Sequence, residues 1–531
     1  MTPPNENNGD DGCRTLMALV IFVAFCVTGI LLYAGLSKDG IGIHGEWVWQ
    51  VNTQPNFYSL GPSISLAGIL LLALWAVLQK WKLHSKCREA ASVTGLVLLL
   101  FFIQMAAGNL GKIGNVETIL FSFPPSNAYF ERALGVESVG DYLKTYEREI
   151  RDGPFRVQLS THPPGSVLFY VPFVRISESW PSLARFIRIQ CRRLKPFYGA
   201  YELPVIEKVL SRVSHEDEGA AWAAALALRF AACLVVIPAY LLCRNELESS
   251  ESLIAATLTG LIPAMFLFSP HPDQMFPVIS TAFFLFLYLT LKTMRWWWGL
   301  AAGLTLWLGM FFSLSFLLPS AAGVVFCGIT VWKKPKRGHA LLAGSVVLGF
   351  VIPCVLLLLF FDHNAAGVWS ACSLQNDEFN SHSLRTYWKW FLYNPLEILV
   401  FAGAPVFVLF WFAWASETNS RILGGGHGME EIRSEDASDN VNADDLHNQE
   451  KDVRLSDALV ALGVAILLLN LSGKNLGEVG RLWMIVMPLM AAVCASKLNL
   501  KSCHGVVLAL ITLQVVQLLG IRTIVQAMGL F

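Results

Sequence analysis

QLSTHPPGSVLFYVPFVRI, residues 158–176, places a histidine, two consecutive prolines and a glycine directly before an apolar run. The reading of that run decides the fold. If Gly165–Ile176 crosses a membrane, everything after it changes side; if it lies at the surface, the parity of the chain is the other one. The run is about 12 residues long and carries Pro172, against the roughly 20 residues that a helix needs to cross a bilayer core. Four basic connectors provide the test: KWKLHSKCR at 80–88, Lys292 to Arg295, KKPKR at 333–337 and SKLNLK at 496–501. Only a run that does not cross puts all four on the cytoplasmic side, as the excess of Lys and Arg in short inner loops requires. The cluster RIQCRRLK at 188–195 then falls outside, which the rule tolerates because long loops translocate with little regard to charge.

The rest of the chain fits a polytopic membrane protein. Of 531 residues 54% are hydrophobic and 15% charged, and the mean hydropathy is +0.52. With a net charge of zero, overall charge gives no support for a nucleic-acid partner. Apolar spans are predicted near 15–36, 61–79, 91–109, 219–243, 252–269, 274–291, 297–313, 315–332, 340–361, 390–414, 456–471, 482–496 and 504–524, about thirteen in all. The first follows a polar, acidic start without a small-residue cleavage signal and reads as a retained signal anchor with a cytoplasmic N-terminus. No internal repeat is visible, and no pair of broken helices meeting at mid-membrane. The fold class expected is therefore all-α and polytopic, with an exterior loop at 110–218 that mixes aromatic and charged residues, too polar to span and too apolar to be disordered. The stretch 415–455, with GGGHGMEEIRSEDASDNVNADDLHNQEKD inside it, lacks aromatics and reads as a disordered acidic cytoplasmic loop. Of the eleven cysteines most lie in apolar runs, where they act as small hydrophobes. Cys191 and Cys372 are placed in exterior loops, and a disulfide between them is left open.

In the opening motif, each proline disfavours helix in the residue before it, so His162 and Pro163 are expected to be extended while Pro164 starts the following helix. His162 is then held at the mouth of a membrane-lying helix. The plainer alternative is a stiff helix start and nothing more.

The layout resembles a known family. GDYLKTYEREIRDGPFRVQLSTHPPGSVLFY at 140–170, Arg229 in the next span, SPHPDQMFP at 269–277 and GEVGRLWMIVMP at 477–488 are similar in order to the GT-C superfamily of polytopic glycosyltransferases, particularly the protein mannosyltransferase and aminoarabinose transferase group. The similarity covers roughly residues 91–332 and the tail near 480. Residues 1–90, a tail and two extra spans, stand as an addition before a core at 91–414, and 456–531 supplies the last spans. The resemblance departs at the loop's acidic pair, since Asp141 is followed by Tyr142 and Glu137 lies four residues upstream.

The resemblance implies an inverting transfer of a sugar from a polyprenyl-phosphate donor to a glycan, lipid or protein acceptor on the exterior face, in the plasma (inner) membrane of a cell envelope. Such chemistry needs a carboxylate to take the acceptor proton and cations to meet the departing phosphate. Asp141 is the expected base, with Glu137 as the alternative carboxylate and His162 and Asp273 beside the site. Arg481, with Lys474 and Glu478 near it, is expected to form the donor phosphate site, because a guanidinium fork suits phosphate. Arg229, costly in lipid, is expected to be a structural partner of a loop carboxylate. Each has an ordinary reading too: a helix cap for Asp141 and Asp273, a snorkelling anchor for Arg481. No metal ligand set or DxD motif is visible, and a divalent metal cofactor is left open. The rival class is a secondary transporter or lipid flippase.

Overall fold

Backbone polar groups in hydrocarbon must be satisfied within the chain, which leaves helices as the solution for isolated apolar runs. The computed structural model follows that rule. It describes residues 18–30, 33, 40–52, 55, 59–79, 85–111, 128–153, 157–193, 213–333, 335, 338–382, 385–424, 453–495 and 504–525. Helix α1 is Ala18–Ile30, followed by a hairpin of β1 (Ile41–Ile43) and β2 (Trp47–Trp49), then α2 (Leu60–Gln79) and α3 (Lys86–Gly108). A domain of short helices comes next: α4 (Tyr129–Leu134), α5 (Val139–Asp152), α6 (Val157–Ser160), α7 (Gly165–Leu168), α8 (Val171–Ser179) and α9 (Pro181–Arg193). The bundle continues with α10 (His215–Cys233), α11 (Val236–Cys243), α12 (Ser249–Gly260), α13 (Pro263–Leu267), α14 (Phe276–Thr293), α15 (Trp296–Phe312), α16 (Leu317–Lys333) and α17 (His339–Phe361). It closes with α18 (Ala365–His382), α19 (Tyr387–Ala402), α20 (Ala404–Gly424), α21 (Leu455–Ser472), α22 (Val479–Leu482), α23 (Met487–Ala495) and α24 (His504–Ile524).

The chain is an all-α polytopic membrane protein. Among the described residues eight helices are long and apolar enough to cross a membrane, or nine if the bent pair α19 and α20 is one span. Several predicted spans are not single long helices. The run 252–269 is interrupted at Pro263, the run 482–496 is split between α22 and α23, and α19 meets α20 at an angle of 119°. Helices α1 and α15 are apolar but shorter than the rest. Broken helices are thus present where the sequence suggested none. Buried glutamines meet the freed backbone groups at two of these breaks. At the α19–α20 bend, Gly403 has φ +93°, the Gln514 amide donates to the Ala402 carbonyl at 2.8 Å, and Gln517 accepts from the Ala404 N–H at 2.7 Å. Gln104 likewise donates to the Met265 carbonyl at 3.1 Å, inside α13. Backbone groups freed by the breaks find partners in protein rather than in lipid.

The segment after the two prolines forms two helices of 4 and 9 residues, about 6 and 13 Å long at 1.5 Å per residue, too short to cross. Pro164 is the N-cap residue of α7, and Pro172 lies in the first turn of α8. Gly165 lets α7 sit on the end of α15, because a Cβ there would stand 2.5 Å from the Phe311 carbonyl oxygen. The short helices share a second core, built on Tyr129, Tyr146, Tyr170 and Trp222 and completed by Val368 and Cys372 of α18. Cys191 and Cys372 both lie in that core as free thiols, so the disulfide left open by the sequence is not formed. Burial pushes the Cys191 thiol up to about 11 and that of Cys372 up to about 12.

Ion pairs mark two ends of the bundle. At one end Asp457, in the first turn of α21, meets Lys333 and Arg421 at 2.6 Å each, and Lys292 donates to the Asn245 carbonyl. The short-helix domain, α18, the 472–481 turn and Asp273 gather at the other end. Helix α20 continues through Gly424, into the stretch read as disordered, and Val453 is buried; residues 425–452 and the connector 496–501 lie outside the described residues.

Candidate functional site

The turn SPHPD at 269–273 carries three potential hydrogen-bonding side chains and two prolines, and proline's missing N–H favours a short 3-10 turn over a longer helix start. That turn, Pro272–Met275, is capped by His271, whose Nδ1 lies 3.4 Å from the Asp273 N–H. His271 Nδ1 is also 3.1 Å from Asp273 Oδ2. Asp273 and His271 are both buried. Arg481 Nε stands 3.6 Å from the same Oδ2, an ion pair without a hydrogen bond, and this Nε is a buried donor with no hydrogen-bond acceptor.

Two aromatic and imidazole rings of the short-helix domain close over this pair. Tyr129 is buried, its ring edge-on to His162 at 5.8 Å and to His271 at 6.2 Å between centroids. Burial, and then the Asp273 carboxylate, push the Tyr129 hydroxyl far above the usual tyrosine range. His162 is half-buried, its Nδ1 3.1 Å from Thr161 Oγ1. The Tyr146 hydroxyl donates to the His162 carbonyl at 2.7 Å, which pins the backbone ahead of the two prolines. The opening motif is therefore both a helix start and a wall of the Asp273 site.

The positive side of the site is built from the far end of the chain. Gly473 and Gly477 have φ of +64° and +83°, and Glu478, a non-glycine residue, has φ +57°, a left-handed conformation that costs an ordinary side chain about 1 kcal/mol or more. Glu478 bridges two arginines: its Oε2 is 3.3 Å from Arg481 and its Oε1 is 2.9 Å from Arg385. Arg385 also donates to the Leu476 carbonyl at 2.6 Å and lies over the Trp47 ring at 5.3 Å. The hairpin thus reaches the site. Trp49 Nε1 donates to Glu397 Oε1 at 2.8 Å, and Glu397 Oε2 accepts from the Gly480 N–H at 3.1 Å. Glu46 accepts from Lys389, Trp390 and Thr386 within 2.7–2.8 Å. The Lys389 ammonium, opposed by burial and helped by Thr386 and Trp390, holds the Glu46 carboxyl down to about 2.

Of the residues expected from sequence, Asp273, His162, Arg481 and Glu478 come together. Asp141 does not join them through any described contact. It is exposed in the first turn of α5, where Ser138 caps its N–H at 3.3 Å. Glu137 is exposed just before that helix, and its carbonyl accepts from Arg175 at 2.7 Å. Lys474 is exposed and 3.5 Å from Asp377. Arg229 is buried and donates to Ser269 Oγ at 2.9 Å, next to the Asp273 turn, while Glu218 at the start of the same helix is held by Arg188 and Arg192. Arg229 thus reaches the Asp273 turn through a serine hydroxyl. Arg385, Glu46, Trp49 and Glu397 were not singled out by sequence. Among the described residues no group of three or more His, Cys, Asp or Glu side chains is arranged to hold a metal ion. Comparison with protein-family models and with curated protein sequences finds no match.

Proposed function

We propose that the protein is an integral-membrane glycosyltransferase of GT-C-like fold that moves a sugar from a polyprenyl phosphate to an acceptor hydroxyl at the face carrying the short-helix domain. About thirteen crossings with a cytoplasmic N-terminus belong to the same proposal, supported by the separation of the described connector residues at 85–88, 292–295 and 333 from the Asp273 end. The observation that carries it is the meeting of Asp273 with His271, Tyr129 and Arg481 beneath the His162 turn. A buried carboxylate held by an imidazole beside a guanidinium supplies both halves of the chemistry. The acceptor oxygen bonds to the anomeric carbon and its proton passes to Asp273; the anomeric carbon–oxygen bond to phosphate breaks, and Arg481 offsets the charge on the departing lipid phosphate. Asp273 replaces Asp141 as the proposed base, because Asp141 is exposed and, among the described residues, no ion pair joins it to a cation.

The broken helices favour a second reading, a transporter or flippase, in which the same charges bind a substrate that is carried and not converted. Purified protein given a polyprenyl-phosphate sugar and acceptor separates the two. The proposal expects release of polyprenyl phosphate that falls about 10²-fold or more in D273N, the loss expected of a general base. Full activity in D273N together with its loss in D141N or E137Q would return the base to the start of α5. Substrate movement without bond cleavage would favour the transporter.

A further inference from the structure

Glu478 occupies an unusual place. It sits between Arg385 and Arg481 with its side chain 14% exposed, and the two arginine side chains are 9% and 20% exposed. Each arginine has partners besides Glu478: Arg385 the Leu476 carbonyl and the Trp47 ring, Arg481 the Asp273 carboxylate in an ion pair at 3.6 Å. Two preset forks therefore share one carboxylate, and that carboxylate is carried on a residue in the left-handed region with glycine directly before it. A purely structural clamp does not need this backbone. A group that must be able to leave its partners is well placed on a conformation that other positions would avoid. Arg481 Nε, buried and without an acceptor, shows that the cationic side has donor capacity that Glu478 does not use.

We propose that Glu478 is a built-in stand-in for a ligand phosphate, and that Arg385 is the second arm of the phosphate site. A phosphate mono- or diester presents several acceptor oxygens in a geometry that two guanidiniums engage bidentately. When it arrives, Glu478 swings out and the phosphate takes its place between Arg385 and Arg481, so the local charge balance is kept. The exchange keeps Arg385 and Arg481 from resting in the absence of ligand with Asp273 as the one described carboxylate between them, and it lets the anion leave again once the reaction is over. This inference rests on the lipid-phosphate reading above and adds Arg385 and the exchange to it.

The sign of one substitution decides it. Full-length protein in phosphatidylcholine nanodiscs is titrated with a polyprenyl phosphate, with the unphosphorylated polyprenol and with inorganic phosphate. If Glu478 competes with the ligand, E478Q removes the competitor and tightens polyprenyl-phosphate binding about 10-fold, the gain expected when a binding-competent state rises from about a tenth to most of the population. R385Q weakens it about 10-fold or more by removing a charge-assisted contact, with no effect on polyprenol. Tightening toward inorganic phosphate as well identifies a general phosphate site; tightening confined to the lipid identifies a headgroup site. E478D, which withdraws the carboxylate by one methylene, is expected to tighten binding by less, and it decides the matter if E478Q does not fold. Unchanged or weaker binding in folded E478Q and E478D overturns the exchange, leaving Glu478 a brace. In that case, loss of polyprenyl-phosphate binding in R481A would still support the donor site, whereas wild-type protein that binds no phosphorylated probe sinks both.

Discussion

At the scale of single residues, the site depends on side chains that neutralise one another across long stretches of sequence. Glu46 is an example. It lies in the turn between β1 and β2, yet its carboxylate is bound by Thr386, Lys389 and Trp390, about 340 positions away. Its carboxyl is lowered from 4.5 to about 2, so the folded protein binds fewer protons there than the unfolded chain. Stability from this group is full above about pH 4.5 and is lost as pH falls toward 2. E46Q should therefore lower the thermal midpoint in detergent at pH 6, and the difference from wild type should shrink steadily between pH 4.5 and 2. A difference that persists unchanged at pH 2 would mean that Glu46 acts through shape and not charge. Residues of this kind were illegible in sequence. Glu46, Arg385 and Glu397 are singletons without spacing or motif, and their partners are fixed only by the tertiary fold. Asp273 and His162 were legible because proline punctuation set each of them at the start of a helix.

At the scale of elements, two devices hold helices in arrangements that apolar patterning does not specify. Helices α15 and α17 approach closely through small residues: Gly299 and Gly303 on one face Ser345 and Gly349 on the other, and a Cβ at Gly303 would collide with the Val346 carbonyl oxygen. Gly299 and Gly303 form the small-xxx-small spacing that lets membrane helices pack backbone to backbone. Helix propensity alone favours G303A by about 1 kcal/mol, but overpacking at a backbone contact costs about 1–3 kcal/mol, so the collision decides the sign. G303A should destabilise the protein in detergent, and G303L should do so more strongly, while the control G344A, at a position with open space, should be neutral or mildly stabilising. A stabilised G303A would show that the helices separate easily. The second device is the buried glutamine. Gln104, Gln514 and Gln517 stand alone in apolar runs of the sequence, and each bonds a carbonyl or N–H near a helix break. The spans themselves were readable from hydropathy, whereas the breaks were not, because an isolated polar residue in an apolar run reveals nothing of the distant break it serves.

At the scale of the whole molecule, the architecture depends on which end faces which side. Glu89 at the start of α3 meets Ser249 and Tyr240, Lys333 and Arg421 meet Asp457, and the exposed Arg295 begins α15. These contacts put the described parts of three basic connectors, at 85–88, 292–295 and 333, at one end of the bundle. The short-helix domain at the other end is also rich in arginine, so total charge does not orient the protein. The proposed orientation rests on the short connectors, since long folded loops translocate with little regard to charge. The consequence can be tested with membrane-impermeant maleimide on intact cells, using the native exposed Cys87 and R295C as reporters of the connector end and R185C and D377C as reporters of the domain end. Cys26, exposed on α1, is replaced by serine to keep the background low. R185C and D377C should label from outside at once, and Cys87 and R295C only after permeabilisation. The reverse pattern would keep the two-ended architecture but place the Asp273 site in the cytoplasm, where an externally presented acceptor cannot reach it. Labelling of R185C and D377C from different sides would break the architecture itself, because α9 and α18 contribute Cys191 and Cys372 to one core and cannot lie across a membrane from each other.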